Sequence, residues 1–151
     1  MINITEYQPN QHDALREVFS SAIRQVGKQV YNPQQINAWA PLSYDKLGWA
    51  NRLDEIAPFM AWIDNKLVGY ADVQNDGYID HFFVHGDYQR LGVAKALMNT
   101  IKAQNQSRVK LYSHVSLSAY DFFIAQGFVE VEKQQANISG ITLTNFLMEK
   151  R

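Results

Sequence analysis

Cysteine is missing altogether from this chain of 151 residues, which excludes disulfides, a zinc–thiolate centre and a cysteine nucleophile. An excess of either charge is missing too: 14 Lys and Arg against 15 Asp and Glu leave a net charge of −1. Binding a phosphate backbone requires clustered cations, so no nucleic-acid partner is expected. No apolar run approaches the ~18 residues of a membrane span, and no membrane partner is expected either. The opening Met-Ile-Asn-Ile-Thr-Glu lacks the basic start and apolar stretch of a signal peptide, so a cytoplasmic setting is expected. Repeats, low-complexity tracts and an interdomain linker are absent as well. With 46% hydrophobic and 19% charged residues, the composition fits one globular domain over residues 1–151.

What is present is read from spacing. Ile2 and Ile4 alternate as a short strand. Asn10 is the expected N-cap of a first helix whose apolar face is Leu15, Val18, Phe19, Ala22, Ile23 and Val26, with Gly27 as its stop. Asn32-Pro33 predicts a second helix carrying Ile36, Trp39 and Ala40 and ended by Pro41. Ser43 is the expected cap of a third, with Tyr44, Leu47 and Ala50 on one face and Trp49 turned to another. From Pro58 to His85 three consecutive antiparallel strands are expected, turning at Asp64-Asn65 and at Asn75-Asp76-Gly77. Later come a long helix, a strand around Val109–Ser113, and a helix capped by Ser116 or Ser118 and stopped at Gly127. Two last strands follow, around a loose connection at 134–140. Helices, a strand meander, then alternating elements make an α+β pattern on a mixed sheet.

The most informative stretch runs from Gly77 to Thr100. Tyr78 to Val84 is rich in β-branched and aromatic residues with bulk on both faces, as in a strand near the middle of a sheet. From Leu91, apolar residues recur at Ala94, Leu97, Met98 and Ile101, the face of a helix turned to a core. The helix start leaves backbone N–H groups unpaired, and its dipole adds partial positive charge. Gly92 lets a ligand approach the main chain, and Arg90 and Lys95 add full charges, a combination suited to a diphosphate.

Val84, Tyr88 and then Gln89-Arg90-Leu91-Gly92-Val93-Ala94 resemble the acetyl-CoA signature of the GNAT superfamily of N-acetyltransferases. Ser116 to Phe128, with Ala119, Phe122, Phe123 and Gly127, resembles the helix-then-Gly-Phe segment that follows in that superfamily. Ile79 to Val84, with its Phe-Phe pair, is similar to the YafP-like bacterial branch. The resemblance is clear from about Pro58 to Phe128 and implies a mostly antiparallel mixed sheet of about seven strands flanked by helices. It also implies acetyl-CoA as co-substrate and no metal. Phe82, Phe83 and Val84 would touch pantetheine and acetyl through the main chain, with the Val84 N–H at the thioester oxygen. Gln89, Arg90, Leu91, Gly92, Val93, Ala94 and Lys95 would hold the pyrophosphate, and Ser116, Ala119 and Phe123 would complete the cofactor side. The expected acceptor is the primary amine of a small molecule or a peptide, attacked directly in a ternary complex; a homodimer is compatible with the resemblance.

Asp80 and His81 are the candidate bases, and strand alternation allows only one of them to face the cleft. Asp80 shares parity with Phe82 and Val84, whereas His81 is better matched to neutral pH. Each has a packing alternative: a carboxylate held by Arg or backbone, and a histidine donating one hydrogen bond. His81 and His85 share parity, but four residues at ~3.3 Å each put them about 13 Å apart, too far for one zinc. Many members of the resembled family carry a proton-donating tyrosine where this chain has Phe123. Tyr120, one helical turn earlier and on nearly the same face, is the candidate substitute acid. The alternative implied by Phe123 is a non-catalytic CoA-binding sensor with the same fold. Tyr31 and Trp39 lie in the early helices and are read either as an aromatic wall for the amine or as packing residues. A different nucleotide-binding fold is disfavoured, because neither Gly-x-x-x-x-Gly-Lys-Ser/Thr nor Gly-x-Gly-x-x-Gly occurs.

Overall fold

The computed structural model describes residues 1–105 and 108–150. Its elements are β1 (Asn3–Thr5), α1 (His12–Ser21), α2 (Pro33–Trp39), α3 (Lys46–Ile56), β2 (Phe59–Ile63), β3 (Lys66–Ala71), β4 (Tyr78–Ile79) and β5 (Phe82–Val84). They continue with α4 (Val93–Gln104), β6 (Leu111–Ser116), α5 (Tyr120–Ala125), β7 (Val129–Ile138) and β8 (Ile141–Lys150). Two four-stranded sheets result, ordered β1-β2-β3-β5 and β4-β6-β8-β7, so the described strands number eight where about seven were expected. Every pairing is antiparallel except β4 with β6. The architecture is α+β, with mostly antiparallel sheets flanked by helices.

The extra strand comes from a break. Tyr78 to Val84 was expected as one strand, but the backbone N–H groups of Asp80 and His81 both donate to Asp72 Oδ1, at 2.9 and 2.6 Å. Two successive amides on one side suspend the alternation of a strand, as in a bulge. Before the break, Tyr78 and Ile79 pair in parallel with Tyr112 and Ser113 on β6. After it, Phe82, Phe83 and Val84 pair antiparallel with Ala71, Tyr70 and Gly69 on β3. The chain thus passes from one sheet to the other, and β5 and β6 diverge.

α1 and α3 cover one face of the first sheet and α4 the other. Leu15, Val18, Phe19 and Ile23 join Leu53, Ile56, Met60, Leu67 and Tyr70 in one core. Val93, Leu97, Met98 and Ile101 pack with Ala61, Val68, Ala71, Ile79 and Val84 in the second. The latter helix starts at Val93, not Leu91, which lies before the first turn and is 57% exposed. Gly69 lets α4 come close: a Cβ there would meet Val93 Cγ1 at 2.8 Å and the Phe83 carbonyl at 3.2 Å.

Several boundaries differ from the expected ones, each for a local reason. Asn10 adopts φ 69° and Gln11 stands at the N-cap of α1 without a side-chain bond. The Asp45 carboxylate, not Ser43, caps α3 by accepting from Gly48 N at 3.0 Å, and Leu47 faces solvent instead of sharing a buried face. The connection expected at 134–140 is mostly strand: β7 runs to Ile138 and turns tightly through Ser139-Gly140, both at positive φ. α2 follows the expectation closely. Asn32 Oδ1 accepts from Gln35 N and the Gln35 side chain accepts from Asn32 N, a reciprocal cap with Pro33 opening the helix. No helix of the described residues is long and apolar enough to cross a membrane.

Candidate active site

Where β5 leaves β6, two cavities meet. The larger, about 340 Å³, is a groove between the widened end of α1, β5, the loop after it and the first turn of α4. Its floor is main chain. His85 N donates to Val68 O, so by ladder alternation the amides of Phe82 and Val84 face away from β3 and toward the gap. The Val84 carbonyl is taken by Gln89 Nε2 at 2.8 Å, and among the described residues the Val84 N–H at the groove has no partner. Gln89 is thus a bolt holding the loop against the strand end.

Arg90 and Gly92 both adopt positive φ, 62° and 90°, and the turn they make lines the groove beside Lys95. Gly92 is needed for this conformation. A Cβ there would have space, its nearest contact being Ile2 Cδ1 at 3.8 Å, but the φ is one that L side chains rarely adopt. The opposite wall is Ala22, Ile23 and Val26, where α1 widens into a π turn. Ser21 Oγ accepts from Gly86 N at 2.8 Å, fastening the loop to α1. Gln89, Arg90, Gly92, Val93, Ala94 and Lys95 all line the groove; Leu91 does not.

The smaller cavity, about 230 Å³, is a crevice under α1 and α2, floored by β4, β6 and β8. Trp39, Phe82, Phe83, Ser116 and Ala119 border both cavities, so the two adjoin at the start of β5. Tyr31 closes one side. Its hydroxyl donates to Thr144 O at 2.7 Å and accepts from Leu117 N at 2.9 Å, and its ring meets Trp39 edge-on at 5.7 Å.

Asp80 and His81 both line this crevice, contrary to the expectation that alternation would send them to opposite faces; the bulge at Asp72 removes that alternation. Each already has protein partners. Asp80 pairs with Arg52 on α3 and lies 3.4 Å from the Tyr78 hydroxyl. His81 is packed among Phe19, Trp49, Tyr70 and Phe83, and its Nδ1 is 2.9 Å from the Tyr70 hydroxyl. Burial lowers the His81 imidazole to about 4 and keeps the Tyr70 phenol protonated, so the phenol donates. Asp72 escaped the sequence reading. It is buried behind the bulge, and burial raises its carboxyl to about 6.

Tyr120 stands elsewhere. It was expected near the Phe123 face, yet its ring lies on Phe146 and its hydroxyl donates to Glu130 at 2.8 Å. Phe146 and Asn145 are neighbours on β8 and face opposite sides, and it is Asn145, in register with Ser116, that lines the crevice. Tyr120 borders neither cavity, whereas Phe123 is buried against Phe82 at the crevice end. His114 is a further histidine at the site. It lines the crevice from β6, with Nδ1 at 2.8 Å from Gln134 Oε1.

A sheet that splays at β5, followed by a positive-φ glycine turn into a helix, is the arrangement of a GNAT acetyltransferase. A family model for the acetyltransferase (GNAT) domain matches residues 28–150, and the chain belongs to that family. It is an enzyme of the acyltransferase class. Among curated proteins, YafP of Escherichia coli K12, an uncharacterized N-acetyltransferase, is 35% identical over 147 residues, covering 97% of this chain and 94% of that one. Among solved structures, a GCN5-related N-acetyltransferase from Rhodopseudomonas palustris matches with a TM-score of 0.92 at 27% identity, over 98% of this chain and 94% of its own. PaiA N-acetyltransferase from Thermoplasma acidophilum, solved in complex with coenzyme A, shares the fold with a TM-score of 0.76 at 17% identity, over 100% and 99% of the two chains.

Proposed function

We propose that the protein transfers acetyl from acetyl-CoA to a primary amine of a small molecule or peptide, by direct attack within a ternary complex. The observation that carries this reading is the Val84 N–H, which faces away from β3 at the larger cavity and has no partner among the described residues. In this reading the groove holds the pantetheine against β5 and the diphosphate on the Arg90–Lys95 turn. The Val84 amide meets the thioester oxygen, where negative charge develops as the amine attacks. The charges and amides of the groove suit a diphosphate, and PaiA carries coenzyme A on the same fold.

The amine enters from the crevice, between Trp39 and Tyr31 on one side and the floor of β6 and β8 on the other. Asp80, its charge shared with Arg52, stands at hand for a cationic acceptor. Phe123 gives no proton to sulfur, but a thiol with pKa near ~8.5 is an adequate leaving group. Direct attack also agrees with the absence of cysteine for an acyl-enzyme. Calorimetry with acetyl-CoA, followed by thiol release with benzylamine, tyramine, spermidine and a tripeptide, tests the reading. Saturable binding and amine-dependent thiol release are expected; a chain that ignores acetyl-CoA at millimolar concentration overturns it.

A further inference from the structure

Asp80 and His81 are both engaged within the protein. Asp80 is held by Arg52, and the one imidazole nitrogen of His81 with a described partner accepts from Tyr70 in an apolar shell. His114 is placed differently. It sits on β6 with its ring exposed, on the sheet face shared with Tyr78, Ser116 and Asn145. Gln134 reaches it from β7, across β8, and presents Oε1 at 2.8 Å from Nδ1.

A carboxamide oxygen accepts only, so Nδ1 carries the proton and donates. In the neutral ring Nε2 is then the unprotonated nitrogen. The edge of the ring meets Tyr78 at 5.7 Å, which holds the other side of the imidazole. A histidine fixed in one tautomer by a second residue, on the wall of a cavity, has the arrangement required of a general base.

We propose that His114, oriented by Gln134, is the general base for the attacking amine, an assignment that rests on the transferase reading above. The lone pair of the neutral amine attacks the thioester carbon while one N–H proton passes to Nε2, directly or through a water, and the carbonyl becomes an oxyanion. When the C–S bond breaks, its electron pair leaves with sulfur, and the imidazolium returns the proton to that thiolate. Amine and thioester become amide and thiol, and His114 ends neutral. An ammonium acceptor first gives its additional proton to solvent. Gln134 is a positioning residue in this scheme.

Titratable groups face His114 from its own strand and from the elements beside it. Tyr78 and Asp80 come from β4 and the bulge, the latter neutralised by Arg52, and Tyr78 is held protonated mainly by burial. Tyr112, on its own strand, donates to Asp76. Glu149 on β8 pairs with Lys110, and Glu132 on β7 lies in the same row beyond Leu147. Tyr31 faces it across the crevice.

The test compares the intact chain with His114→Ala and Gln134→Leu, using the amine panel above. His114→Ala is expected to lower kcat by ~10²-fold, leave coenzyme A affinity by calorimetry unchanged, and remove the acidic limb of kcat/KM against pH, with activity regained on adding imidazole. Gln134→Leu is expected to lose less activity and to shift His114 toward the Nε2–H tautomer in ¹⁵N NMR of the imidazole. Wild-type kcat and an unchanged acidic limb in His114→Ala overturn the base assignment while the transferase stands. An intact chain that binds coenzyme A and releases no thiol with any amine overturns the transferase reading, and the base with it.

Discussion

The groove and the crevice are neighbours built on opposite plans. One side of the groove is a single short run of sequence, with strand amides at Phe82 and Val84, a positive-φ turn at Arg90 and Gly92, and the first turn of α4, set against an apolar wall from α1. The crevice is made of side chains brought from α1, α2, β4, β6 and β8. Peptide groups are identical in every protein, so the groove suits a ligand common to a whole family. Side chains differ, so the crevice is where one member is told from another. The physical consequence is separability: changes to the groove should act on the acyl carrier and its oxyanion, changes to the crevice on the amine.

The sharpest way to break that contrast is Val84→Pro, which deletes one N–H facing away from β3 and so costs no ladder bond. A fall in kcat of ~10²–10³-fold is expected, with a smaller change in coenzyme A affinity. Unchanged turnover would place the acyl oxygen elsewhere. Next in size is a pair of buried groups beneath the crevice with opposite pH signs. Asp72, raised by burial to about 6, adds stability below pH ~4 that is lost as pH rises through 6. His81, lowered by burial to about 4, adds stability above pH ~6.5 that is lost as pH falls through 4. The two slopes oppose each other across the same window in the wild type. Asp72→Asn should therefore become less stable as pH falls, and His81→Gln less stable as pH rises, each on the order of 2 kcal/mol by urea midpoint. Parallel profiles for all three proteins would deny the opposition.

A smaller effect is expected at the groove turn. Gly92→Ala places a side chain at φ 90°, which costs about 1–2 kcal/mol, read as a lower Tm together with weaker acetyl-CoA binding. Normal affinity with a lowered Tm would show that the turn matters to the fold alone. The smallest is Asn32→Ala, which removes the reciprocal cap of α2 at a cost of about 1 kcal/mol. Because α2 carries Trp39 over the crevice, amine KM should rise more than coenzyme A affinity falls. Equal changes in both would mean that the two cavities are coupled through Trp39.

How much could be read in advance follows from the same division. The caps at Asn32-Pro33 and the apolar stripe of α1 act within one helical turn, so their signals are local and were read directly. The break at Asp80–His81 was not, because its cause is the Asp72 carboxylate, eight and nine residues away and on another strand. Strand alternation, applied across that break, separated two side chains that the fold puts in one crevice. Tyr120 was misplaced for a related reason. Helical periodicity sets its angle to Phe123 but not where α5 sits relative to β8, and Phe146 and Glu130 hold it away from both cavities. His114 became a candidate base only through Gln134, two strands away across β8.

By itself, the amino-acid order determined most of the elements, the α+β class and the glycine turn that opens α4, since helix stripes, caps and turns follow from residues adjacent in the chain. The tertiary structure alone decided which imidazole Gln134 reaches, which carboxylate pairs with Arg52 and which tyrosine reaches the crevice. Those properties depend on burial and on hydrogen-bond partners contributed by distant segments, and no local pattern encodes them.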